Sequence, residues 1–194
     1  MRKNESWYKF MKKLTLLITS LSLVFALNFA PESHAESTTN EITTDQKSEV
    51  DFNDLPENVK AHFYSDGFSE NDDFYQTTVI QPADGNSPAK NQRLVNALVL
   101  HAATRKISNT MAYTSYTLVS SNSAMYKAEF SVTYRGKKFN STVNIPNRFD
   151  YNGGVYINHS GSKGYGGVRV TAQVYNGFGA GTVTSTAGGV TLGK

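Results

Sequence analysis

"SPAKNQRLVNALVLHAATRKI", Ser87 to Ile107, decides the fold class. Ser87 can cap a helix, and Pro88 suits the first helical position because its missing N–H would be unpaired there anyway. Leu94, Val95, Leu98, Val99 and Ala102 then recur at a spacing of about 3.6 residues. The spacing predicts one long helix to about Ile107, ended by Ser108-Asn109. Downstream the period changes to two. Ala112 to Ser121 reads as a Tyr/Thr-rich strand. "MYKAEFSVTY" puts Tyr126, Ala128, Phe130, Val132 and Tyr134 on one face and Lys127, Glu129, Ser131 and Thr133 on the other. A turn at Arg135-Gly136 would set Val132 opposite Phe139, Ala128 opposite Val143 and Thr133 opposite Lys138, keeping the apolar face in register. Further strands fit 154–159, 168–175 and 179–186. The expected class is α+β: one long helix packed on a mostly antiparallel sheet.

Upstream of that stretch, "FYQTTVI" (74–80) is the first plausible strand. Asp54-Leu55-Pro56-Glu57 predicts a short helix to about Phe63, with Asp54 as cap and a stop before Gly67. Residues 36–52 are polar, acidic and poor in apolar side chains, the composition of a disordered segment. The amino terminus has the charged, apolar and small-residue regions of a secretory signal: Lys12-Lys13, Leu14 to Ala30, then Ser33-His34-Ala35, with cleavage expected after Ala35. Met11 offers a second start. Trp7, the single tryptophan, precedes the cleavage site. No cysteine is present, so an exported product relies on its core rather than on disulfides. The carboxyl end "AGGVTLGK" has no apolar anchor.

Charge divides the chain. Residues 36–75 carry eleven acidic side chains and two lysines, whereas residues 76–194 carry three acidic and twelve basic ones. The expected organisation is a signal peptide (1–35), an acidic pro-segment or linker (36–75) and a basic α+β domain (76–194) ending in a Gly-rich hairpin. An acidic segment beside a basic domain is either a mask on a cationic product or a solvated linker.

The hairpin is the first candidate working element. Val168, Val170, Ala172 and Val174 share one strand face; Arg169, Thr171, Gln173 and Tyr175 share the other. Asn176-Gly177 suits a two-residue turn with positive φ at both positions. That turn sets Val174 against Gly179, Ala172 against Gly181 and Val170 against Val183. Two readings follow: the terminal hairpin of a soluble sheet, or a membrane-active hairpin built on Val168, Val170, Ala172, Val174, Asn176, Gly177 and Val183. The alternation suits the second, although the strands fall short of the roughly 9–11 residues of a spanning strand.

Phosphate-binding glycine motifs are excluded. Gly177-Phe178-Gly179 has its third glycine misplaced and no helix after it, and Lys163 lacks the glycine spacing of a P-loop. His62, His101 and His159 are too scattered for a metal site, and "SDGFSENDD" lacks the alternating ligands and closing Glu of a calcium loop. No metal or cofactor is expected. A G-x-S-x-G serine elbow is absent. "INHSGSKG" (157–164) resembles the strand-end segment that carries the catalytic histidine of small fungal-type guanyl-preferring ribonucleases. The resemblance covers eight residues and implies a glutamate base, a phosphate-neutralising arginine and a histidine acid, for which Glu129, Arg148 and His159 occur in order. A surface histidine in a turn is the alternative, and no base-binding segment accompanies it.

Three function classes remain. The first is a secreted antibacterial, bacteriocin-like toxin made as a precursor and acting on cell envelopes. The second is a non-catalytic extracellular matrix, adhesion or inhibitor protein. The third is a secreted ribonuclease on Glu129, Arg148 and His159. Export, the charge switch and the cationic Gly/Tyr-rich end favour the first, with an anionic membrane or cell-wall surface as partner, a processing protease as a second one, and no nucleic acid. The expected location is extracellular.

Overall fold

The computed structural model describes residues 48–82 and 95–194. The signal segment, Ala35, residues 36–47 and the Ser87-Pro88 helix start lie outside those residues.

The long helix is not there. Val95–Lys106 is a strand, β3, and the domain is mainly β rather than α+β. The remaining elements are β1 (Ser48–Val50), a 3-10 turn (Phe52–Asp54), α1 (Glu57–Ser65), β2 (Phe74–Pro82), β4 (Met111–Ser120), β5 (Met125–Tyr134), β6 (Lys137–Arg148), β7 (Asp150–Asn158), β8 (Gly164–Asn176) and β9 (Gly179–Leu192). All pairings are antiparallel. A five-stranded sheet has the order β1-β2-β3-β4-β7, and a four-stranded sheet the order β6-β5-β8-β9.

Position explains why β3 misleads. It is the central strand of the larger sheet and is covered on both sides from Leu100 to Ala103, while Val95, Ala97 and Val99 stay partly exposed. Leu98, Leu100 and Ala102 enter the core between the sheets, while Ala103 packs in a second cluster on the opposite face. A strand buried on both faces loses the clean alternation that marks a half-buried one. Its apolar run then fits a helical period by chance.

The two sheets pack face to face. Leu98, Leu100, Tyr116, Leu118 and Ile157 from one meet Ala128, Phe130, Val132, Val170, Ala172, Val174 and Val183 from the other. Phe130 stacks between Tyr116 (4.6 Å between ring centroids) and Tyr151 (5.3 Å). Gly153 makes room for this stack, since a Cβ there would lie 2.8 Å from the Tyr116 ring and 2.9 Å from that of Tyr151.

The acidic segment is not disordered from Ser48 onward. β1 pairs with β2. Phe52, Leu55, Val59, Phe63, Phe68 and Phe74 form a buried cluster with Ala103 on the outer face of the larger sheet. The expected boundary at 75/76 therefore falls inside β2. The short helix forms and ends before Gly67, but its cap differs. Pro56 precedes the first turn without a side-chain cap, and the aspartate that caps is Asp51, on the 3-10 turn.

The β5–β6 hairpin has the register its sequence predicts: Val132 opposite Phe139, Ala128 opposite Val143, Thr133 opposite Lys138. Arg135 (φ 46°) and Gly136 (φ 78°) make the turn. Tyr126 departs from its expected face. A register shift between Met125 and Lys127 sends Met125 into the core and leaves Tyr126 57% exposed.

Candidate functional site

The hairpin of 168–186 forms, two residues out of the expected register. Val174 faces Gly181, Ala172 faces Val183 and Val170 faces Ser185. The turn is Gly177-Phe178, and the positive φ falls on Gly179 (95°). Asn176 is withdrawn from the tip because its side chain is committed. Its Oδ1 accepts from Phe178 N at 2.9 Å, and its Nδ2 donates to Gln81 Oε1 at 2.9 Å. Asn96 Nδ2 donates to the same Gln81 oxygen at 2.8 Å, so this buried amide set ties the two sheets together. A shift of two preserves faces. Val168, Val170, Ala172, Val174 and Val183 all lie in the core, each 1% exposed or less. The face proposed for lipid is covered by the other sheet.

The nuclease constellation is not assembled. β5 serves as a ruler: Arg148 pairs with Met125 at one end, and His159 touches Arg135 just past the other. Ten residues of strand separate those levels by about 30 Å. Arg148 bonds Asp150 at 3.3 Å. Glu129, between the two, is paired with Lys127 at 2.6 Å and accepts from Tyr175 OH at 3.5 Å.

A Ser/His/Asp group that sequence reading missed sits under α1. Ser115 Oγ donates to Asp66 Oδ2 at 2.7 Å, Tyr113 OH donates to the same oxygen at 3.0 Å, and His62 Nε2 lies 3.0 Å from Ser115 Oγ. Arg105 NH2 donates to the Asp66 carbonyl at 2.9 Å. Ser115 is fully buried. Its hydroxyl is directed at the carboxylate, and His62 Nε2 lies 3.5 Å from the same Asp66 oxygen. The group is a latch holding the end of α1 to β4. Burial first, then the bond to Asp66, holds the Tyr113 hydroxyl well above its ordinary pKa. His101, on the same sheet face, has no partner for Nδ1 among the described residues, and burial lowers its pKa to about 4.

The outward face of the smaller sheet is different. Ser131, Thr133, Arg135, Gly136, Lys138, Gly167, Val168, Arg169, Thr171 and Thr186 line a basin of about 620 Å³. Three of these residues are cationic and none is acidic, so no lining carboxylate offsets their charge. Register produces the arrangement. Lys138 on β6 pairs with Thr133 on β5, Thr133 with Arg169 on β8, and Arg169 with Thr186 on β9. Side chains opposite one another share a face, so these four form one rung across the sheet. The next rung is Asn140, Ser131, Thr171 and Thr184. Arg135 makes the turn at one end, but its side chain lies against Gly164 and Gly166, on the strand face shared with Val168 and Val170 rather than on the face of the rungs. Its NH1 donates to the Ser162 carbonyl at 2.8 Å and lies 3.2 Å from His159 Nε2. The segment singled out for a catalytic histidine thus positions an arginine. A Cβ at Gly136 or Gly167 would meet nothing within 4 Å, which leaves the floor open.

This arrangement can bind anions; it holds no nucleophile–base pair. No group of three or more potential metal ligands occurs among the described residues. Comparison with protein-family models, curated proteins and solved structures gives no match.

Proposed function

We propose that this chain is a secreted, non-catalytic protein that works at cell envelopes by binding an anionic surface through the uncovered face of its smaller sheet. One observation carries the reading: Lys138 and Arg169 share one rung of a basin that no carboxylate lines, on the outward face of the smaller sheet. Exposed cations on a flat face raise the local concentration of a polyanion and speed its capture. The signal-like amino terminus supports export. An antibacterial effect would need a second step, because the apolar face of residues 168–186 must leave the core before it can meet lipid.

Co-sedimentation tests the reading. The folded protein is expected to pellet with isolated bacterial cell walls at low ionic strength and to be released by salt, since exposed charges are screened beyond roughly 8 Å at physiological ionic strength. Folded protein that stays in the supernatant with both walls and anionic vesicles would overturn it.

A further inference from the structure

We infer that the basin takes an extended chain of linked phosphates laid across the strands, rather than a single phosphate or a bilayer surface. The inference rests on the envelope-binding reading and names the ligand of that same site.

Cation spacing excludes a compact ligand. Lys138 and Arg169 flank Thr133 on the two strands beside β5. Strands lie about 4.8 Å apart, so the two backbones are separated by about 10 Å. The Thr133 hydroxyl stands between the cations, while that of Thr186, beyond Arg169, is donated to the Val168 carbonyl at 3.3 Å. Side chains so placed meet successive anionic groups of one chain better than one tetrahedral ion. Guanidinium forks match phosphate oxygens two at a time, and a threonine hydroxyl can donate to an oxygen between them.

A bilayer fits less well. Surface-binding elements drive apolar side chains into the headgroup boundary. The two rungs present Lys, Arg, Thr, Ser and Asn. Tyr165 is exposed nearby on β8, but its ring lies along the sheet over Gly189 rather than standing off as a wedge. Glu129, the acid nearest along the face, is held by Lys127 two rungs away and leaves the basin cationic.

Fluorescence anisotropy with the full chain tests this, using long-chain linear polyphosphate, inorganic phosphate and phosphatidylglycerol vesicles as separate probes. Polyphosphate is expected to bind at least about tenfold more tightly than inorganic phosphate and to lose roughly tenfold between about 50 and 200 mM salt, as two or three phosphate contacts imply. Arg169→Ser and Lys138→Ser should each weaken it several-fold. Gly167→Glu should do the same while leaving the fold intact, because its side chain enters open space. Equal affinity for inorganic phosphate, preference for vesicles, or indifference to all three substitutions would overturn the assignment. Vesicle or wall binding without polyphosphate binding removes the phosphate-chain ligand and leaves the envelope reading standing. Absence of all binding removes both.

Discussion

The larger sheet turns its outer face to α1 and an aromatic cluster; the outer face of the smaller sheet carries no such layer among the described residues. Both faces are strand surfaces of similar length, yet they carry different residues for different reasons. The covered face holds Phe63, Phe68, Phe74 and Ala103, which are buried, and a hydrogen-bonded latch around Asp66. The bare face holds threonines and cations that meet no covering layer among the described residues. The charge switch near residue 75 becomes spatial. Glu49, Asp51, Asp54, Glu57, Glu70, Asp72 and Asp73 belong to the covering segment, and the basin lies on the far side of both sheets. Packed sheets are about 10 Å apart, which already exceeds the screening length. Acids from Ser48 onward therefore do little to weaken the basin's field; their segment contributes to folding.

The comparison breaks first if the covering segment is dispensable. A chain of residues 76–194 should show no cooperative thermal transition by circular dichroism, since it loses α1, β1 and the start of β2. A folded 76–194 fragment would restore the detachable pro-segment. Within the full chain, Phe63→Ala should cost about 3–5 kcal/mol, as a fully buried aromatic does.

Acid should also strike the covered face. His101 has a folded-state pKa of about 4, below its ordinary value of 6.5. The unfolded chain therefore binds the extra proton first. Stability is full above about pH 6.5 and falls as pH drops toward 4, by on the order of 3 kcal/mol. Denaturant titrations across that window should show the slope, and His101→Gln should flatten it. An unchanged slope would place the acid sensitivity elsewhere.

Ser115→Ala separates latch from core. It removes a donor to Asp66 and a hydrogen-bonding partner of His62, and should cost about 1–3 kcal/mol by denaturant titration. The smallest effect belongs to the bare face. Arg169→Ser should leave stability within about 0.5 kcal/mol, because the side chain is exposed and makes no hydrogen bond among the described residues. A loss of several kcal/mol there would mean that the face is structural after all.

What was legible in the sequence follows from locality. The β5–β6 hairpin was readable from Ala128 to Thr133, because Arg135-Gly136 fixes the register of two adjacent alternating strands, but the shift between Met125 and Lys127 that turns Tyr126 outward was not. The terminal hairpin was readable in its faces but not its turn. Asn176 has the residue type of a turn tip, yet Gln81, distant in sequence, claims its amide. β3 was misread because burial on both faces erases the alternation that separates strand from helix. The basin was only half visible. Thr133 opposite Lys138 came from the local hairpin, but Arg169 joins that rung through β5–β8 pairing, which no short-range signal specifies.

The central claim is that the bare face binds and the covered face holds the fold together. Amide chemical-shift mapping of the full chain during titration with linear polyphosphate tests it most directly. The account predicts perturbations concentrated at Thr133, Arg135, Lys138, Gly167, Arg169 and Thr186, with α1 and the buried face of β8 unmoved. Perturbations centred on α1 and β4, or a loss of protection at Val170, Ala172 and Val174 as the hairpin leaves the core, would contradict it.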